Sequence, residues 1–198
     1  MARYAPEHKE ATRRRMIETA GRRFKRDGID GAGIATLVAD AGLTNGAFYG
    51  HFSSKDDLIA TVVTDQLSRQ LAMLESLPLG WAPLEAFVRD YLSPTHRDNP
   101  ADGCPSAALL DEIGRADAVV RDAYTAGIRP LLELVARRLD HLPEGLARER
   151  ATGLLTLLFS TLQLARAVTD RKLSDQILAA GVQNALLLAA PNGKEGKA

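Results

Sequence analysis

The sequence predicts an all-α protein of about nine helices, a small N-terminal unit of short helices ahead of a larger helical bundle. Three observations predict it. Apolar residues recur at helical spacing along most of the chain, as in the run from Lys9 to Asp27, where Ile17, Ala20 and Phe24 share one face. No apolar–polar alternation is bounded by hairpin turns, so strand signals are nearly absent. Glycine, proline and capping residues then cut the helical pattern into separate pieces, at Gly28, Gly42, Pro78 to Pro83 and Gly114.

Taken in order, the first helix runs over 9–27 and stops at Gly28. A short second helix over 34–41 buries Leu37, Val38 and Ala41, and a third spans about 45–51 after Gly42. Ser53 or Ser54 caps a fourth, with Asp56 and Asp57 in its first turn where the helix dipole favours acids. That helix reaches about Leu77, and a fifth covers PLEAFVRDYL and ends before Pro94. The stretch SPTHRDNPADGCP, 93–105, is expected to be an irregular loop. Helices follow at about 105–114, 117–140, 144–168 and 174–190, and the tail from 191 to 198 is expected to fray. The expected division is 1–55 for the N-terminal domain, 56–190 for the bundle and 191–198 for a flexible tail.

Composition narrows the class. Hydrophobic residues at 45% and charged residues at 25% are ordinary for a globular chain. No apolar run approaches the roughly 18–20 residues needed to cross a bilayer, and no apolar stretch follows the basic N-terminus. A single cysteine excludes an internal disulfide, so a cytoplasmic protein with no membrane partner is expected. The net charge is zero, yet residues 1–55 hold ten Lys/Arg against six Asp/Glu, a balance of +4 that the remainder offsets. A basic quarter on an acidic body suggests an end that binds a polyanion.

The stretch AGLTNGAFYGHF, 41–52, concentrates glycine and aromatic residues. Helices two and three are joined by about three residues around Gly42, too few for anything but a sharp corner, which is a helix-turn-helix. Gly42 suits the corner because positive φ costs glycine little. Leu43 plugs the angle between the helices, and Thr44 is placed to cap the third helix. Phe48 and Phe52 lie four apart and face inward, while Asn45, Ala47 and Gly50 face outward.

Over Leu37, Val38, Ala41, Gly42, Leu43, Thr44, Gly46, Phe48, Tyr49, His51, Phe52, Lys55 and Leu58, the chain resembles the TetR family of transcriptional regulators, with unbroken spacing. The resemblance covers about 9–60. It implies a ligand-responsive DNA-binding regulator, a repressor that binds a pseudo-palindromic operator as a dimer and is released by a small molecule. It implies that Thr44, Tyr49, His51 and Lys55 touch the DNA backbone, contacts that set position rather than sequence. Asn45, Gly46, Ala47 and Gly50 then meet base edges, with Asn45 the best hydrogen-bonding reader. Two departures stand out: Gly33 replaces a frequent capping Ser or Thr, and Ala35 replaces a frequent DNA-directed Arg.

For the body, the resemblance implies a small-molecule pocket among the middle helices. Candidate lining residues are Phe87, Tyr91, Leu109, Tyr124, Ile128, Phe159, Leu162, Gln163 and Arg166. Arg166 in an apolar helix suits either an anionic ligand or an internal carboxylate. Cys104, at the start of a helix where the dipole favours thiolate, is either an electrophile-sensing thiol or a small apolar filler. The last two long helices are more apolar than one core-facing stripe requires, which points to a homodimer interface. The rival classes are an enzyme using Cys104 and His96, or a helical partner-binding protein. No phosphate loop, metal cluster or acyl-transfer motif supports catalysis, and no cofactor is expected.

Overall fold

A computed structural model describes residues 4–190, so the tail expected over 191–198 lies outside the described residues, as do residues 1–3 of the basic arm. Among the described residues the chain forms ten α-helices and one 3-10 turn, with no strand. The nine helices expected are present, joined by one more in the stretch read as a loop.

Helix α1 (Tyr4–Asp27) buries Thr12, Met16, Ile17, Ala20 and Phe24 along one face. It ends where Gly28, at φ 82°, sends its N–H back to the Phe24 carbonyl at 2.8 Å. Helix α2 (Ile34–Asp40) starts at Gly33, which offers no side chain to cap it, as the departure at this position predicted. Its C-terminus is firmly closed. Gly42, at φ 67°, donates to Ala39 O at 2.9 Å, and Leu43 donates to Val38 O at 2.8 Å. These paired bonds satisfy helix-end carbonyls and set the corner. Helix α3 (Asn45–Tyr49) is five residues long, shorter than expected. Thr44 sits at its N-cap with extended backbone, but its hydroxyl makes no capping bond, so that expectation is corrected.

Helix α4 (Lys55–Ser76) opens with a reciprocal cap. Asp57 N–H donates to Ser54 Oγ at 3.1 Å, while the Asp57 carboxylate accepts from Ser53 N–H at 2.8 Å. After α5 (Trp81–Tyr91) the expected loop is instead α6 (Pro94–Asp98) and a 3-10 turn at Pro100–Asp102. Ser93 caps α6 by accepting from His96 N–H at 3.2 Å, with Pro94 in the first turn. Proline there has no helix-internal N–H to lose, so it starts this helix where the sequence reading took it as a breaker. Helix α7 (Pro105–Arg115), α8 (Ala118–Arg138), α9 (Glu144–Ala167) and α10 (Arg171–Ala189) follow. Helix α10 starts three residues earlier than expected because Asp170 accepts from the N–H groups of Lys172 and Leu173, at 2.9 and 3.2 Å.

The chain forms two compact units. Among the described residues the first comprises 4–70 and 100–127, the second 71–99 and 128–190. The first is organised around Phe24, Phe48, Leu58, Ile59, Leu67 and Leu109, all nearly or fully buried. In the second, α9 and α10 pack against each other, and Leu158, Leu162, Leu178, Val182 and Ala185 on them are buried. Gly181 allows that approach, since a Cβ there would collide with Thr161.

Candidate nucleic-acid interface

The candidate site is built from the bottom of α3 upward. Phe48 and Phe52 are buried, their rings 5.8 Å apart, and they anchor the short helix to its neighbours. A five-residue helix has almost no stability of its own, so this anchoring holds it in place. The opposite side is bare: Thr44, Asn45, Gly46 and Gly50 are exposed, Ala47 is half-buried, and Tyr49 is 67% exposed. An aromatic ring left in water beside a buried one, with centroids 5.2 Å apart, is available for contact with something outside the chain.

Basic groups of α1 lie against the end of this segment, at Phe52 and His51. The Arg13 guanidinium lies over the Phe52 ring, its central carbon 5.0 Å from the centroid. That contact steadies a long cation without neutralising it. His51 is half-buried, and its Nδ1 is enclosed with no hydrogen-bond partner among the described residues. Burial lowers the His51 pKa below its ordinary value, Lys9 and Arg13 lower it further, and Glu10 opposes them. His51 is thus held towards its neutral form within a positive neighbourhood.

Lys55 is placed differently from a free phosphate-seeking lysine. Its ammonium donates to the Ile29 carbonyl at 2.7 Å, in the turn between α1 and α2. Two of its three donors remain for other partners. The same turn is held from another side, where the N–H groups of Ile29 and Asp30 donate to Glu112 Oε1 of α7 at 2.8 and 3.4 Å. Arg23 ties α1 to the end of α2 through Asp40 at 3.2 Å. Glu112 was missed in the sequence, and no local signal could have found it, since it lies more than eighty residues from its partners.

The candidate pocket residues divide between the units. In the second, Phe87, Tyr91 and Phe159 form an aromatic cluster, with Tyr91 5.8 Å from Phe87 and 6.5 Å from Phe159. His96 packs edge-on against Tyr91 at 4.7 Å. Ile128 and Gln163 are half-buried and Leu162 is fully buried. Arg166 directs Nε to the Arg97 carbonyl at 3.1 Å and Nη2 to the His96 carbonyl at 2.9 Å, capping the end of α6. In the first unit Cys104 is buried, with Sγ 3.6 Å from the Gln70 side-chain amide. Tyr124 donates to Ser106 Oγ at 2.9 Å, and burial raises its pKa. Leu109 is core. Among the described residues no group of three or more His, Cys, Asp or Glu is placed to hold a metal ion. No described helix is long and apolar enough to cross a membrane.

A glycine corner, a short helix bared on one side and a neighbouring Arg13 define a helix-turn-helix of the DNA-binding kind. Residues 16–62 match the sequence model described as bacterial regulatory proteins, tetR family. An uncharacterised HTH-type transcriptional regulator of Bacillus subtilis, YdgC, is 35% identical over 68 residues, which is 34% of this chain and 35% of that protein. The chain spans between 29% and 41% of the length of the curated relatives it matches. The fold likeness extends further. The reduced form of E. coli NemR superposes with a TM-score of 0.78 at 18% identity, over 92% of this chain and 99% of that one. Bacillus subtilis FadR, a transcriptional regulator solved with stearoyl-CoA, gives 0.64 at 15% identity over 90% and 98%. Residues 16–62 thus carry the sequence of a tetR-family regulatory protein, and the described chain has the fold of solved transcriptional regulators.

Proposed function

We propose that the protein is a dimeric repressor that binds a pseudo-palindromic operator through α3 and releases it when a small-molecule effector occupies the helical body. The observation that carries this reading is the bare side of α3, exposed from Thr44 to Gly46 and at Tyr49 and Gly50, backed by the buried Phe48 and Phe52. Small side chains at Gly46, Ala47 and Gly50 allow the backbone to approach a major-groove floor, and Asn45 supplies the bidentate amide that pairs with adenine. Thr44, Tyr49, His51 and Lys55 are assigned to phosphates on either side.

One head of this size binds DNA weakly, and two-fold operators require two heads. The outer side of α9 and α10 supports pairing, since Leu164 is 53% exposed and Leu187 69% exposed on helices otherwise well packed. The effector pocket is assigned to the Phe87, Tyr91 and Phe159 rings, with the half-buried Ile128 and Gln163 as further candidates. The stearoyl-CoA held by FadR supports a small-molecule role for such a body. DNA contact is assigned to residues 1–55, effector binding and dimerisation to 56–190, and the protein to the cytoplasm.

Selecting bound duplexes from a random pool tests the reading. The expected product is an inverted repeat, bound by two chains and weakened by added salt. Recovery of no sequence preference at low salt would remove it.

A further inference from the structure

The turn between α1 and α2 is gripped from two sides within the first compact unit. Lys55 donates to the Ile29 carbonyl at 2.7 Å, and the Ile29 and Asp30 amides donate to Glu112 Oε1 at 2.8 and 3.4 Å. Side chains from α4 and α7 thereby hold three peptide groups of this corner, the Ile29 carbonyl and the Ile29 and Asp30 amides. Gly28 leaves room for the grip, because a Cβ on it would stand 2.9 Å from the same Glu112 oxygen. The 3-10 turn just before α7 holds α1 itself: Lys25 donates to the Gly103 carbonyl at 2.9 Å, and Arg22 pairs with Asp102. Residues 100–115, which sequence alone assigns to the body, are thus bonded to the helix and turn from which α2 and α3 hang.

We propose that Glu112 is a positioning residue for DNA binding, its carboxylate fixing the turn from which the α2–α3 corner hangs. A carboxylate accepting two backbone N–H groups is a strong, directional link, because one partner is ionised. If α7 shifts along its axis, either the turn follows or two amides lose their acceptor. The turn opens directly into α2, whose first residue is Ile34, with no side-chain cap at Gly33 to resist the pull. An uncapped helix start is easily displaced, so the missing cap makes this corner responsive to Glu112. Coupling of this kind is reciprocal: whatever α7 does to the corner, DNA held by the corner does to α7.

The inference rests on the DNA-binding reading above, and one set of measurements separates them. Operator affinity is measured for the wild type, Glu112→Ala and Glu112→Gln, with Asp111→Ala as a surface control that breaks only the pair with Arg115. Hydrogen exchange at the 29 and 30 amides is followed in parallel, with and without operator. Glu112→Ala should weaken specific binding about tenfold and speed exchange at both amides. Glu112→Gln, which keeps an acceptor oxygen, should recover most of the affinity. The salt slope should be the same in all four proteins, because Glu112 touches no phosphate. In the wild type, operator should slow exchange in α7, and in Glu112→Ala it should not. Faster exchange at 29 and 30 with unchanged operator affinity would overturn the proposal, as would equal weakening by Gln and Ala. A wild type that prefers no sequence would sink the repressor reading and the coupling together. The exchange data would still judge the grip itself.

Discussion

Asn45 stands first on α3 with its amide in solvent, flanked by Gly46 and Ala47, which carry no hydrogen-bonding side chain. In the proposed complex, base discrimination through hydrogen bonds therefore concentrates in Asn45. Asn45→Ala should cost about 1–3 kcal/mol on the preferred duplex and level the preference at one base pair, while binding to random DNA is unchanged. A competition assay across the four base pairs at that position checks it. His51 makes a second, opposite-signed pair of predictions. Burial depresses its folded pKa, so the stability contributed by neutral His51 is fully present above its ordinary value of about 6.5 and lost as pH falls through the lower folded value. A phosphate beside it favours the imidazolium, so operator binding takes up a proton. Affinity should rise as pH falls below about 6.5 while melting temperature declines, and His51→Gln should flatten both profiles.

At the scale of elements, α9 and α10 explain their own composition only in part. Leu158, Leu162, Leu178 and Val182 are buried. Leu164 and Leu187 are not, and Leu173 is also exposed at 44%. Leu187→Glu should place a charge in the proposed dimer contact without touching the core. Sedimentation at micromolar concentration should show a dimer for the wild type and a monomer for the variant, and a variant that stays dimeric places the interface elsewhere. The same helices show what was legible in the sequence. Their periodicity, length and apolar excess could be read directly, as could the corner at Gly42 and the inward rings of Phe48 and Phe52. Helix α6 could not, because Ser-Pro followed by Asp, Asn and Gly signals a loop and a capped helix start equally well. The small residues of α10 divide too: Gly181 and Ala185 are buried, Ala179 and Ala180 exposed. Neither Arg166 spanning to the carbonyls of α6 nor Glu112 reaching the α1–α2 turn has any local signature, since each joins segments about 70 to 83 residues apart.

For the whole molecule the net charge of zero hides a polarised chain, with +4 carried by residues 1–55 and the balance by the rest. A neutral protein gains no general attraction to DNA, so the affinity it has must come from cations placed beside the reading face. Arg13 is the best defined of these, its guanidinium held over Phe52 at 5.0 Å with no carboxylate paired to it among the described residues. Lys9 lies in the same neighbourhood, near enough to act on His51. If each of two heads neutralises about three phosphates, the logarithm of operator affinity should fall with the logarithm of salt at a slope of about −5. Raising salt from about 50 to about 200 mM should then weaken binding roughly a thousandfold. Arg13→Gln should reduce the slope by about 2, one counterion for each copy, whereas Asn45→Ala should lower affinity at every salt with the slope intact. Measuring both variants across the salt series separates cations that hold the backbone from the amide that reads the base. A slope near zero in the wild type would mean that the basic face of α1 meets something other than a phosphate chain.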